Sequence, residues 1–391
     1  MLVFIFPPSF FDSLSAFHPY VEDREQFQRH INPTFSGPAS KNRSDLYTRL
    51  RVGFDYRLNT RMTAKVEYQN ADDLFWTRKG NDSSDSSDLS LAYLTYDISQ
   101  LSLTAGRQKI ILGQQRLIGP SEWLNLARSF DAGQARSGQW DVWGGKIGVA
   151  NTEPQTARIA ALTHFDKDWG TTSLIVKHDF VGEKNIDEQT FDHLVSRKFG
   201  SLKLDGEGAA QYGRTSGRTQ NAWAWHLRAT ETVVPKTDLS VEANAASGGG
   251  DSDTSHTFDN LYPSNHDQYG LADMVGWKNM NDLAVKLSNN SIRSLTLRAE
   301  DHTFSLRDPS DGWYSATGVV NPRPGGSFVD PTGQSGRQVG QELDFEAIYQ
   351  IRKNITTQAG ISFFDPGDFV KNLSGHDNQV TFGYAQVQVR F

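Results

Sequence analysis

Five basic residues, Arg107, Lys109, Arg116, Arg128 and Arg136, lie close together in the first half of the chain. A guanidinium stays charged at any relevant pH and can grip a carboxylate through two parallel hydrogen bonds. A ring of such groups facing a water-filled passage selects anions by its field rather than by shape. Arg49, Arg51, Lys65, Arg228 and Arg298 extend the same chemistry along the chain. The opposing interpretation is structural. Asp131, Glu67, Asp205, Glu207, Glu242, Glu300, Glu342, Asp344 and Glu346 could pair with these cations as ladders inside a protein wall. Both interpretations stay open, and a segregated pattern, basic at a constriction and acidic around it, satisfies both.

Glu342, Asp344 and Glu346 form a row in which neighbours stand roughly 7 Å apart along a strand. Such a pair could do acid–base work, but service as partners for arginine is the simpler role. The loop at 248–253, with His256, Asp259, His266 and Asp267 nearby, has the oxygens to hold a hard cation. Acidic, glycine-rich loops are ordinarily just solvated, so no metal is expected. The serine-rich stretch 83–87 reads as a mobile loop tip. The ten histidines form no HExxH pair, and there is no Gly-x-Ser-x-Gly elbow or phosphate-binding loop. No cofactor and no covalent chemistry are expected. An outer-membrane lipase or polysaccharide lyase would need a nucleophile or a Tyr/His/Arg set that the spacing does not supply.

The elements that must position these charges are strands. Residues 385–391 alternate apolar and polar up to a terminal Phe391, as a strand does when one face meets apolar material and the other water. Leu46, Leu50, Val52, Phe54 and Tyr56 alternate with Tyr47, Arg49, Arg51, Asp55 and Arg57. Met62, Ala64, Val66 and Tyr68 then alternate with Thr63, Lys65, Glu67 and Gln69. No stretch approaches the ~20 apolar residues of a membrane helix. A mean hydrophobic content of 37% suits strands that turn only every second residue toward lipid. Nine Trp, twelve Tyr and twenty-three Phe suit aromatic girdles at the bilayer interfaces. A formal charge of −7 without a long basic run excludes nucleic acid as a partner.

Strands are expected at 44–58, 61–70, 88–98, 101–111, 130–137, 139–150, 156–166, 171–181 and 189–199. Others are expected at 201–213, 220–233, 237–248, 273–288, 292–306, 336–351, 355–365 and 377–391. Connections alternate between short turns, such as 59–60, 99–100 and 352–354, and long loops at 71–87, 112–129, 249–272 and 307–335. That alternation is the habit of a membrane barrel, with the short turns periplasmic. The chain ends periplasmically, so 44–58 runs downward and one further strand must precede it, giving eighteen. The fold class is thus all-β: a single transmembrane antiparallel β-barrel in the outer membrane over 44–391. Residues 1–43 form an anomalous segment. They must hold that first strand but show it poorly, and Met1 to Phe6 is not a signal peptide by its flanks.

Several segments together resemble the alginate-export family of outer-membrane barrels. They are Gly106-Arg107-Gln108, Gln115-Arg116-Leu117-Ile118-Gly119 and Arg128-Ser129-Phe130-Asp131-Ala132. Further along come Thr257-Phe258-Asp259-Asn260-Leu261-Tyr262-Pro263 with His266, then Tyr269-Gly270-Leu271-Ala272-Asp273 and Gly276-Trp277-Lys278-Asn279. Val339-Gly340-Gln341-Glu342-Leu343-Asp344 and Pro366-Gly367-Asp368-Phe369 complete the set. Two features depart from the pattern: the leader with its first strand, and Asp301 on the face where Leu295, Leu297 and Ala299 expect lipid. The resemblance implies a passive conduit whose arginine-lined constriction passes a polyanionic polysaccharide such as alginate. It also implies eighteen strands, a monomer, and recognition of the terminal aromatic by the barrel-assembly machinery. Partners are then outer-membrane lipid and an anionic saccharide cargo, and Arg107, Arg116 and Arg128 should converge on the constriction. A general small-solute porin and a loop-mediated adhesin are the remaining alternatives.

Overall fold

The computed structural model describes residues 16–36, 42–74, 86–149, 156–179, 185–266 and 268–391. Residues 83–85 of the serine-rich tip, Asp267 and residues 1–15 lie outside these. Eighteen strands form one antiparallel sheet that closes on itself. In chain order the wall begins with β1 (Phe17–Ile31), β2 (Arg43–Arg57), β3 (Met62–Asp73) and β4 (Ser86–Ile98). It continues with β5 (Leu101–Gln108), β6 (Ser129–Ser137), β7 (Trp140–Val149), β8 (Arg158–Asp166) and β9 (Gly170–Asp179). Then follow β10 (Ile186–Phe199), β11 (Leu202–Thr215), β12 (Arg218–Val234) and β13 (Thr237–Ala246). After the two-residue β14 (Thr254–Ser255) come β15 (Met280–Asn289) and β16 (Leu295–Ser305). A small hairpin, β17 (Pro322–Arg323) and β18 (Gly326–Ser327), precedes β19 (Gln338–Arg352), β20 (Ile355–Pro366) and the closing β21 (Val380–Arg390).

Each wall strand pairs with its sequence neighbour, and β21 returns to β1 with Glu22 opposite Arg390 and Ile31 opposite Thr381. The seam is finished by Val21, whose N–H donates to the Phe391 carbonyl at 2.9 Å, and by the reverse bond at 2.8 Å. An open edge would leave a row of unsatisfied N–H and C=O groups in lipid, each costing several kcal/mol, so only a closed ring is tolerated. The pleat divides the charges. Arg49 and Arg51 are each 2% exposed, while Leu50 and Val52 between and beyond them are 41% and 47% exposed on the outer wall.

The strand required before β2 is β1, paired along its length to β2 and β21. Its inward residues Glu22, Arg24, Gln26 and Gln28 are buried. Its outward row mixes Val21, Phe27 and Ile31 with Asp23, Glu25 and Arg29, which hides the apolar alternation by which the other strands are recognised. The strict short–long alternation of connections fails once. On the extracellular side β11 and β12 are joined only by Ser216 and Gly217, at φ 49° and 81°. Two consecutive left-handed residues make a tight hairpin turn, and glycine carries the second without strain. The strand expected from 273 begins only at Met280. Residues 273–279 lie inward instead, with Trp277 fully buried and the Asn279 side-chain amide donating to the carbonyls of Asp308 (3.0 Å) and Gly312 (2.9 Å).

The long connections 109–128, 247–279 and 306–337 therefore fill the barrel rather than crown it. Ile118, Phe258, Tyr269, Trp277, Trp313 and Phe328 are buried in one apolar cluster with wall residues Phe130, Ile147, Ile159 and Phe364. Trp313 stacks on Phe364 at 5.7 Å, and Phe35 meets Phe328 edge-on at 5.5 Å. At ~1.5–3 kcal/mol for each large apolar side chain removed from water, the loops are held inward by the same force that packs a soluble core. The helix Asp368–Ser374 buries Phe369 and Val370 in that cluster and ends on Gly375.

The two faces of β5 provide a test, because the native chain has no cysteine. Thr104 lines an inner cavity, and Leu103 beside it is exposed on the outer wall. In membranes, Thr104→Cys should react with a small membrane-impermeant thiol reagent and Leu103→Cys should be protected. Equal labelling of both would overturn the assignment of faces.

Candidate functional site

Within the barrel the charged groups gather around a cavity of about 410 Å³. Arg51, Lys65, Lys109, Arg136 and Arg390 line it, with Glu22 and Glu67, among Tyr20, Tyr93, Thr95, Thr104, Gln108 and Gln134. Strands β1 to β6 and β21 bring these side chains together because each is at an inward position of the pleat, save Lys109, which enters from the segment that follows β5. Most of the cations are tethered. Lys65 pairs with Asp55 at 2.9 Å and Arg136 with Asp141 at 2.9 Å. Arg390 lies over the Tyr20 ring at 5.1 Å and makes no ion pair among the described residues.

The segment 109–128 separates this cavity from a second one of about 430 Å³, lined by Trp123, Leu124, Pro120, Pro263, His266 and Gln268 among others. A turn at Ser121–Leu124, in which the Leu124 N–H donates to the Ser121 carbonyl at 3.1 Å, gathers three carbonyls at its tip. Arg24 donates to the carbonyls of Glu122 (2.7 Å), Trp123 (3.1 Å) and Leu124 (3.2 Å). Arg49 donates to those of Glu122 and Leu124, both at 3.1 Å. Arg51 takes the Glu122 carboxylate at 2.9 Å, and Lys109 also contacts it. Glu22 lies 3.4 Å from Arg49 and 3.3 Å from Arg51 and offsets their charge. Burial alone would push the Glu122 carboxyl up, but Arg51, Arg49 and Lys109 together hold it well below the usual carboxylate range.

The other arginines of this segment reach elsewhere. Arg116, fully buried, extends to β11, β12 and β13, where it meets Glu207 (3.5 Å), His226 (2.9 Å) and Glu242 (3.4 Å). It also donates to the Gln268 side chain. Arg128 donates to the carbonyls of Gly119 (2.5 Å), Tyr262 (2.7 Å) and Pro263 (3.1 Å), joining the two inward loops. A third cavity of about 540 Å³ is lined by Lys177, Lys278 and Arg218 with Asp179, Glu188, Asp259 and Asp311. Burial raises the Asp259 carboxyl, but Lys177, 2.5 Å away, and Lys278 bring it down to about 2.

The expected basic cluster is thus divided. Arg107 and Asp131 are a correction: they face outward, not into the pore. They are direct partners across β5 and β6, share the parity of exposed Leu103, and are bonded to each other at 2.7 Å. Gly106 precedes Arg107 at φ +124°, where any Cβ would lie 2.2 Å from the Ala92 carbonyl. Arg107 therefore does not converge with Arg116 and Arg128. Arg298 pairs with Glu346 at 3.0 Å. Glu342 accepts the Ala272 N–H (2.9 Å) and the Ser362 hydroxyl (2.9 Å), and Asp344 accepts the Leu271 N–H (3.1 Å), so these two carboxylates anchor the loop 247–279. Among the described residues, no group of three His, Cys, Asp or Glu side chains is placed to hold a metal ion. Arg24, Glu122 and Tyr20 are additions that the sequence did not single out. Arg24 lies in the poorly patterned first strand, and Glu122 in an aperiodic loop whose only signal was the run of basic residues on either side.

No curated protein matches the chain in sequence. In structure it is similar to OccK11 (OpdR) of Pseudomonas aeruginosa, with 10% identity, a TM-score of 0.64 and 96% of each chain covered. It is similar to OccK2 (OpdF) of the same organism, solved in complex with glucuronate, at 11% identity and a TM-score of 0.63, again covering 96% of each. A BenF-like porin from Pseudomonas fluorescens Pf-5 aligns at 12% identity and a TM-score of 0.64, with 96% of this chain and 99% of that one covered. Such low identities establish the fold alone. Sequence gives the family: the alginate export model matches residues 21–146 and 163–383. With the closed wall of eighteen strands and the charged interior in place, the chain belongs to the alginate export family and is a passive outer-membrane β-barrel channel.

Proposed function

We propose that this channel passes anionic saccharides built from uronic acids. The observation that carries this reading is the wall of the 410 Å³ cavity, where Arg51, Lys65, Lys109, Arg136 and Arg390 are interleaved with the rings of Tyr20 and Tyr93 and with hydroxyl and amide groups. A uronate residue presents one carboxylate, several hydroxyls and an apolar ring face, and each of these has a counterpart on that wall. Fixed cations in a narrow passage favour anions because little water remains to screen them. The alginate export match supports the same cargo class, as does the glucuronate in the OccK2 structure. Because Glu22, Glu67, Asp55, Asp141 and Glu122 sit beside these cations, the field is moderated rather than extreme. A moderated field suits a conduit, in which a cargo must leave as readily as it enters.

Glu122 is the moderating group at the boundary between two cavities, so its removal separates the effects. Glu122→Gln removes the carboxylate shared by Arg51, Arg49 and Lys109, leaving Glu22 and Glu67 to offset only part of their charge. Reversal potentials across a planar bilayer with a salt gradient should then show a stronger anion preference than in the parent. Combined neutralisation of Arg51, Lys109, Arg136 and Arg390 should weaken the preference, and the difference should shrink in 1 M salt, where the Debye length is ~3 Å. Current block by oligouronates should follow the same order. A parent whose selectivity is unmoved by both changes would exclude this wall as the selectivity element and favour a general porin.

The Glu122 anchor also has a pH dependence. Its carboxyl is held below its ordinary value of ~4.3, so its contribution is complete above that pH and is lost only as pH falls through the lower folded value. Single-channel conductance and noise should therefore be constant from neutral pH down to about pH 5. Strongly acidic solution should reproduce in the parent the loosened, noisier current that Glu122→Gln shows at neutral pH.

A further inference from the structure

The outer wall carries a row of ionisable side chains that the channel reading does not use. Direct cross-strand partners run from Arg107 to Asp131, Lys146, Arg158, His178, Asp187 and Arg214, one from each strand β5 to β11. All share the parity of outward-facing residues such as Val142, Leu162, Leu174, Phe191 and Tyr212, each more than 40% exposed. The row also follows the extracellular ends of these strands. Arg158 opens β8, His178 and Arg214 are next to last in β9 and β11, and Asp187 is second in β10. Lys146 and Arg158 are the last pair of β7 and β8 on the extracellular side, at the margin of the wall where it meets the outer leaflet's headgroups.

The pairing within the row is incomplete. Arg107 holds both oxygens of Asp131, at 2.7 and 3.3 Å, and His178 pairs with Asp187 at 2.9 Å. Lys146 and Arg158 stand directly opposite each other across β7 and β8, both exposed, with no carboxylate partner among the described residues. Like charges set directly across a sheet repel, and charge on the lipid face is costly unless it is near the interface and finds a counter-ion. What surrounds this surface is lipid, so an anion here comes from a lipid headgroup. Guanidinium and ammonium groups recognise phosphate through charge-assisted hydrogen bonds, and basic clusters at a membrane surface gather anionic lipid.

We propose that Lys146 and Arg158, the two adjacent cations at the centre of this row, form a binding site for the phosphate groups of a phosphorylated glycolipid of the outer leaflet. The site is on the outside of the barrel and is independent of the cargo, so it stands or falls separately from the uronate reading.

The test uses the full chain, refolded in detergent and checked for heat-modifiable mobility. It is titrated with a bis-phosphorylated diglucosamine lipid, with the same lipid lacking phosphates, and with inorganic phosphate, and retained lipid is read by native mass spectrometry. The phosphorylated lipid should bind and the other two should not. The double variant Lys146→Gln, Arg158→Gln should bind it roughly thirtyfold more weakly, the effect expected for two basic residues at a membrane surface. Arg29→Gln, an outward change on β1 remote from the row, should bind as the parent does. Equal retention of the phosphate-free lipid, or an unchanged double variant, would overturn the proposal. Binding of inorganic phosphate alone with the parent's affinity would reassign the site to free anions. If the double variant fails to fold, Lys146→Arg and Arg158→Lys, which keep the charge, should retain lipid, and the singles Lys146→Gln and Arg158→Gln should each lose part of it.

Discussion

Everything inside this barrel depends on arginine binding backbone carbonyls. The wall satisfies its own peptide groups by closing on itself, but the segment 109–128 enters the lumen with carbonyls that no ladder can reach. Arg24 and Arg49 take those of residues 122–124, and Arg128 takes those of Gly119, Tyr262 and Pro263. A guanidinium has five donors in a fixed fork and is only weakly hydrated, so it can serve several carbonyls at once in a confined space. Lysine at these positions would supply the charge without the geometry. The acidic residues follow from this: Glu22, Glu207 and Glu242 neutralise cations whose first role is architectural.

This arrangement explains how the interior can look strongly basic in sequence and yet present a moderate field. The arginines most deeply buried, Arg24, Arg49, Arg51, Arg116 and Arg128, are committed to loop carbonyls and carboxylates. Those left to face the cavity, Arg136 and Arg390, are toward the periplasmic ends of β6 and β21, where no inward loop claims them. Position along the strand, rather than residue type, divides structural from functional cations.

The same distinction marks what could be read from sequence. The alternation in β2, β3, β19 and β21 was legible because lipid on one side and water on the other impose a strict period of two. The faces of Arg49, Arg51 and Lys65 followed from it. β1 was obscured because Asp23, Glu25 and Arg29 occupy outward positions, and a pattern read only through apolar residues loses a strand that lacks them. Arg107 was misplaced for a different reason: it was assigned by proximity in sequence to Arg116 and Arg128, although the period of β5 set it beside Leu103 and Ala105 on the outer wall. The inward loops were beyond reach altogether. Trp277, Trp313 and Phe328 bury without any periodicity, since each answers to a partner far away in the chain.

The path of residues 116–124 has a mechanical consequence. Arg116 is fastened to β11, β12 and β13, and a few residues later the turn carbonyls are fastened to Arg24 and Arg49 on β1 and β2. In a ring of eighteen strands these two attachment zones lie on opposite sides. The segment is therefore a strut across the diameter. An empty tube flattens readily under lateral pressure, because bending a sheet strains few bonds, whereas a tube tied at both ends of one diameter must stretch or compress the tie to become oval. The cross-section of this channel, and with it the spacing of the charges along its wall, is thereby kept constant as the surrounding bilayer tightens or relaxes.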